Sequence, residues 1–271
     1  MPPDAAPLAP ASIAHVEYVM GTAVSFDIRA PLPARGTLEA AASWLHHVDG
    51  TFSTYRVESQ VSRLGRGEIG LGDVDRDVRD VLRRCLQLTT LTGGAFDGFD
   101  LTERNGSTLD PSGLVKGWSI ERAASILDAA GAVNYCINAG GDVLLRGAPE
   151  PGRSWRVGIR HPQCQDRQAT VLELTGPHAV ATSATYERGA HIIDPATREP
   201  TTMLTSATVI GPDLGVADAF ATAIFVMGLS GLEWIEEQAG YDAYIITNDG
   251  QVRWSSRFER GWSSPWGDQR G

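Results

Sequence analysis

Apolar and polar residues alternate from His15 to Ile28. Val16, Tyr18 and Met20, then Val24, Phe26 and Ile28, mark a strand or hairpin broken near Gly21. Leu38–Val48 reads as a helix. Asp73–Leu91 is a stronger one, because Val74, Val78, Val81, Leu82, Cys85 and Leu88 recur at helical spacing with Asp and Arg between them. The Gly93-Gly94 pair stops it. A third helix is predicted over Ser112–Ala130, ended by Gly131. Short strands follow at Val133–Asn138, Asp142–Arg146, Trp155–Arg160, Thr170–Leu174, Ala179–Thr182 and Thr205–Ile210. Leu214–Met227 is an alanine-rich helix stopped at Gly228. A helix over Leu232–Gln238 and strands Ala243–Thr247 and Gln251–Trp254 complete the body. Asn248-Asp249-Gly250 is a hairpin signal between those last strands.

Helices early and late, with strands between, predict an α+β fold with largely antiparallel sheet rather than regular βαβ alternation. No internal repeat and no long polar linker divides the chain. Residues 15–271 are therefore expected to form one unit behind a disordered lead-in, residues 1–14, rich in Ala and Pro.

Composition narrows the classes. An apolar fraction of 42% and a charged fraction of 21% are those of a globular chain. Acids exceed bases 33 to 23, for a formal charge of −10, which disfavours a dedicated nucleic-acid or anionic-membrane binder. Cys85, Cys136 and Cys164 are dispersed, with no CxxC, and read as free thiols rather than as a disulfide framework or a zinc site. No run approaches the roughly 18–20 apolar residues of a membrane span, and the N-terminus has neither a basic n-region nor a lipobox-like Cys. A cytoplasmic protein without membrane insertion is expected. One count stands out: of the 23 basic residues, Lys116 is the single lysine.

Glycine supplies 30 of the 271 residues, above the roughly 7% average, and clusters at Gly93-Gly94, Gly113 and Gly117, and Gly140-Gly141. Such clusters suit either ordinary turns or a site built from loops around a ligand. Asp110-Pro-Ser-Gly-Leu-Val-Lys-Gly117 leads into a helix and is neither a P-loop nor GxGxxG. Free N–H groups at the helix start and the Lys116 charge suit an anion, although a surface lysine is the plainer reading. Asp218 and Thr222 stand four apart in the late helix and share one face. Together they offer oxygens to Mg²⁺; alternatively, Asp218 caps the helix and Thr222 bonds its own backbone. His191, ahead of Ile-Ile-Asp-Pro195, is open to two roles, a general base or a hydrogen-bonded structural histidine.

Taken in order, eight segments resemble the ApbE-type FAD:protein FMN transferase family. They are Met20-Gly-Thr22; Phe52-Ser-Thr-Tyr55 with Ser59; Gly94-Ala-Phe-Asp97; Asp110–Gly117; Asn138-Ala-Gly-Gly-Asp142; Ala181-Thr-Ser183 with Tyr186-Glu-Arg188; His191-Ile-Ile-Asp-Pro195; and Ala217-Asp218 through Met227-Gly228. The resemblance implies transfer of the FMN half of FAD to a threonine hydroxyl of an acceptor flavoprotein, with Mg²⁺ as cofactor and AMP released. It implies FAD contacts at Met20, Tyr55, Ala95, Phe96, Asp97, Asp110, Lys116 and Ile193. It also implies a metal held by the Gly113 carbonyl, Asp218 and Thr222, and a base at His191. Three segments depart from the family form. Pro111-Ser112 replaces Leu-Gly, Ser183-Ala-Thr-Tyr186 lacks the acid of Ser-Gly-Asp-Tyr, and Arg198 stands where Asp-Pro-x-Thr-Gly ends in glycine. Two alternatives stand beside the transferase: an FAD pyrophosphatase giving FMN and AMP, which the missing acid would favour, and a non-catalytic FAD-binding protein.

Overall fold

The computed structural model describes residues 11–98, 106–162, 164, 166–185 and 192–258. Ten strands and six helices are named within them. The strands are β1 Ser12–Val19, β2 Thr22–Arg29, β3 Asn134–Ala139, β4 Asp142–Arg146, β5 Trp155–Arg160, β6 Gln168–Leu174, β7 His178–Ala184, β8 Leu204–Gly211, β9 Asp242–Thr247 and β10 Val252–Trp254. The helices are α1 Thr37–Phe52, α2 Gln60–Gly65, α3 Arg76–Leu91, α4 Ser112–Ala129, α5 Leu214–Met227 and α6 Ser230–Glu236.

Eight strands form one sheet in the order β1-β2-β3-β4-β7-β8-β9-β10, and β5 and β6 form a separate ribbon. Every pairing of these strands is antiparallel, so the predicted α+β class holds. The period-two alternation of side chains gives the sheet two different faces. Phe26, Ile28, Ile137, Leu144, Ala179, Ala181 and Val209 point to one side and pack with the helices. Val143, Leu145, Val180, Ile210 and Ile246 point to the other and meet Trp155, Val157, Leu172 and Leu174 of the ribbon. Central strand β4 is therefore buried on both faces, whereas edge strand β1 alternates exposed and half-buried positions.

The predicted hairpin break is a two-residue turn, Met20-Gly21, with φ of 54° and 71°. Two consecutive left-handed residues match the twist of the flanking strands. α3 ends as the glycine pair predicts: Gly93 and Gly94 are left-handed, and the Gly94 N–H returns to the Thr89 carbonyl at 2.8 Å. Two differences are local. β1 begins at Ser12, so the last three residues of the expected lead-in are strand. Helix α2 was not anticipated, since six residues are too few to display a period; Ser59 caps it by accepting the Ser62 N–H at 3.1 Å.

Antiparallel pairing brings several loops to one end of the sheet. Val24 lies opposite Ala139, and Ala139 opposite Asp142, so the Met20-Gly21 and Gly140-Gly141 turns are neighbours. A Cβ on Gly140 would stand 2.5 Å from Thr22 Oγ1, which leaves that position to glycine. Val143 pairs with Val180, so residues Ala181–Ala184 of β7 extend to the same end. Asp142 and Ser183 lie at that end of the sheet.

Candidate functional site

Helix α4 is locked against α5 by backbone contact. A Cβ on Gly117 would lie 2.5 Å from the Leu214 carbonyl oxygen and 2.7 Å from Gly215 N and Cα. Gly117 thus serves helix crossing rather than a ligand loop. The start of α5 is fixed by two carboxylates. Asp213 caps it by accepting the Val216 N–H at 2.9 Å, and Glu121 of α4 accepts the Leu214 N–H at 2.8 Å. The reading of Asp218 as a helix cap is therefore corrected: Asp213 is the cap, and Asp218 lies one turn inside the helix. There it is buried at 5% exposure, a position a carboxylate holds only with charge or hydrogen-bond compensation.

Lys116 of α4 supplies part of that compensation. Its Nζ lies 3.7 Å from Asp218 Oδ2 and 2.5 Å from Asp142 Oδ2. Asp142 opens β4 directly after the Gly140-Gly141 turn and is 1% exposed. Its other oxygen, Oδ1, accepts the Thr182 N–H at 3.0 Å. Asp142 is the member of this cluster that sequence reasoning left without a role, although its segment was noted. Thr222, one turn beyond Asp218, shares a hydrogen bond of 3.1 Å with Ser183 of β7. Lys116 is thus not a free surface lysine; it is set among acids drawn from a helix and a strand.

The other predicted positions surround this cluster. The Phe96 ring packs on α4 so closely that a Cβ on Gly113 would stand 3.1 Å from it. Phe96 is 1% exposed, so its ring serves the core, whereas Ala95 and Asp97 on either side are partly exposed. Asp110 precedes α4; its N–H donates to the Gly98 carbonyl at 2.9 Å, and its Oδ1 accepts the Ser112 N–H at 3.1 Å. Pro111 at the helix entry keeps α4 intact despite the departure from the family form. Burial foremost, with Asp97 and Asp110 adding charge, pushes the nearby Cys85 thiol up to about 12. Ser119 Oγ donates to the Lys116 carbonyl at 2.7 Å and lies 3.6 Å from Met20 Sδ, placing the β1–β2 turn beside α4. Tyr55 projects outward at 70% exposure. Ile193 bridges Pro200 in the β7–β8 connection. His191 and Tyr186-Glu-Arg188 lie outside the described residues.

The donor set bears on Mg²⁺. Among the described residues, no three His, Cys, Asp or Glu side chains gather as metal ligands. A cation here would instead draw on the Asp218 carboxylate with neutral oxygens such as the Thr222 hydroxyl and the Gly113 carbonyl. Mg²⁺ binds in that manner, through one or two carboxylates with the remaining positions left to water and substrate phosphate. Asp218 is buried and already faces one cation, the Lys116 ammonium at 3.7 Å. The residues fit the ion.

The ApbE family model matches residues 20–99 and 98–245. The FAD:protein FMN transferase of Vibrio cholerae is 29% identical over 237 residues, covering 68% of this chain and 71% of that protein. The FAD:protein FMN transferase of Treponema pallidum is 31% identical over an aligned length of 313, covering 89% of this chain and 86% of the relative. Among solved structures, the flavin transferase ApbE from Vibrio cholerae aligns with a TM-score of 0.79 at 25% identity, over 93% of this chain and 99% of that one. With the fold matched nearly end to end and the family model spanning both the α4 segment and the α5 segment, this chain belongs to the ApbE family.

Proposed function

We propose that the chain is an FAD:protein FMN transferase that joins the FMN half of FAD to a threonine hydroxyl of an acceptor flavoprotein, depends on Mg²⁺, and releases AMP. The observation that carries this reading is the Lys116 ammonium held between Asp142 and Asp218 in the first turns of α4. A pyrophosphate must be bound and its charge offset before a hydroxyl attacks. Lys116 is placed to donate to a phosphate oxygen, and the start of α4 adds the positive end of a helix dipole. Asp218, Thr222 and the Gly113 carbonyl would hold the metal, which supplies a Lewis acid for the pyrophosphate when bound. The Ala95-Phe96-Asp97 run, with Met20, Tyr55, Asp110 and Ile193, orients the flavin nucleotide.

In the reaction, the acceptor oxygen bonds to the FMN-side phosphorus while the bond to the bridging oxygen breaks. AMP departs with that oxygen, and the hydroxyl proton passes to a base. His191 is the proposed base. Among the described residues no helix is long and apolar enough to cross a membrane.

The test is incubation with FAD, Mg²⁺ and a candidate acceptor flavoprotein, read by mass spectrometry of the acceptor and chromatography of AMP. An FMN adduct on threonine with stoichiometric AMP is expected, and EDTA should suppress both. FMN and AMP formed equally well without acceptor would replace this reading with hydrolysis. FAD bound without any AMP would replace it with a binding protein.

A further inference from the structure

We infer that Asp142 is a positioning residue: it holds the Lys116 ammonium beside Asp218 rather than on it, and so leaves Asp218 to a metal ion. The inference rests on the transferase reading of this site. Three observations carry it. First, Asp142 is anchored to the sheet, through its place at the start of β4 and through the Thr182 N–H on Oδ1. Second, its remaining oxygen faces Lys116 at 2.5 Å, while Asp218 Oδ2 stands off at 3.7 Å. Third, both carboxylates are buried whereas the Lys116 side chain is one-third exposed, so the ammonium reaches in from a flexible stem and its resting place is decided by the acids. Remove the Asp142 charge and, among the described residues, Asp218 is the acid that still faces Lys116. Lys116 would then turn onto the carboxylate assigned to the metal and away from the place where a phosphate oxygen meets it.

The sign of the effect separates this role from simple charge. A carboxylate beside an anion site repels FAD, so its neutralisation should tighten FAD binding if charge alone mattered. Positioning predicts the opposite. Asp142→Asn keeps an oxygen for the Thr182 N–H and removes the hold on Lys116.

The experiment compares the wild-type chain, Asp142→Asn, Lys116→Met and the double variant. FAD affinity is read by flavin fluorescence, and divalent-cation affinity by electron paramagnetic resonance of Mn²⁺ in place of Mg²⁺. Asp142→Asn is expected to weaken both about tenfold, the scale of re-ordering one long side chain. In the Lys116→Met background both losses should disappear, leaving only the tightening of FAD that the lost charge gives, because the side chain through which Asp142 acts is gone. An equal loss in both backgrounds would make Asp142 a ligand or scaffold in its own right and overturn the inference; so would tighter or unchanged FAD binding by Asp142→Asn alone. A wild-type chain that binds no FAD would overturn the transferase reading and this inference together. If Asp142→Asn does not fold, the wild-type chain still decides. Lys116 is its single lysine, so ¹⁵N-lysine labelling gives one side-chain ammonium signal. A motionally restricted ammonium is expected, and one relaxing like free lysine would overturn the proposal.

Discussion

The Glu121 carboxylate on α4 accepts the backbone N–H of Leu214, the first residue of α5, at 2.8 Å. Its other oxygen meets Arg146 of β4 at 3.3 Å. One side chain therefore ties together the helix bearing Gly113 and Lys116, the helix bearing Asp218 and Thr222, and the strand bearing Asp142. Asp213, paired with Arg84 at 2.6 Å, secures the same helix end from α3.

Glu121→Ala strands the Leu214 N–H and should cost about 1–3 kcal/mol in urea unfolding, whereas Glu121→Gln keeps an acceptor and should recover most of it. Burial, first among the influences, holds the Glu121 carboxyl above the usual carboxylate range despite the Leu214 N–H and Arg146. A raised carboxyl binds its proton more tightly in the folded chain. Its contribution favours the fold at pH below the unfolded value and is lost as pH rises through the folded value. Melting profiles of wild type minus Glu121→Gln should therefore shift in favour of wild type on acidification from neutrality; a flat difference would contradict the burial argument.

Gly117→Ala places a methyl 2.5 Å from the Leu214 carbonyl, a backbone atom that cannot swing aside. Overpacking of this kind costs about 1–3 kcal/mol. The helices must part, so FAD-dependent AMP release should fall together with the melting temperature. A variant as active and stable as wild type would show that the crossing tolerates more space than the contact distances allow.

Asp218→Ala should abolish Mg²⁺-dependent turnover while leaving the melting temperature close to wild type; unchanged turnover would remove Asp218 from the metal site. Lys116→Arg is a milder change with an equally clear outcome. A planar fork does not reproduce a point charge 2.5 Å from a buried Asp142 oxygen, so turnover should drop at least about tenfold, or ~1.4 kcal/mol. Near wild-type activity would mean that retention of the single lysine is accidental.

Arg198 holds a left-handed φ of 60° where the family form has glycine. The turn is kept by the Arg198 N–H on the Asp194 carbonyl at 2.7 Å and the Ala196 N–H on Asp194 Oδ1 at 2.8 Å. A side chain in this region costs roughly 1–2 kcal/mol, part of which glycine returns as unfolded-state entropy. Arg198→Gly should accordingly stabilise the chain by up to about 1 kcal/mol in urea unfolding; destabilisation would mean that the guanidinium makes a compensating contact.

Burial pushes the Cys85 and Cys136 thiols up to about 12, which leaves little thiolate at neutral pH. A thiol reagent at neutral pH should titrate Cys164 quickly in the native chain and all three cysteines in denaturant. Rapid native labelling of Cys85 would contradict its burial.

What the sequence determined by itself is local. Turn chemistry placed Gly93-Gly94, Gly140-Gly141 and Gly228 at element ends, because left-handed backbone favours glycine, which has no side chain to clash there. Periodicity found α3 because a buried stripe repeats within the element, and alanine content with the Gly228 stop found α5. The order of short motifs indicated the family, since each motif survives alignment without its neighbours. What only the tertiary structure decided is where those elements meet. Lys116 and Asp218 are separated by more than a third of the chain, and Asp142 joins them only because antiparallel register brings the start of β4 to the end of the sheet where α4 begins. The same holds for Gly117, which reads as one more turn glycine until Leu214 is seen against it, and for Asp218, which reads as a cap until Asp213 is found in that place. Spacing along a chain fixes which face of an element a residue occupies, whereas register and helix crossing fix what that face touches, and the chemistry of this site depends on the second.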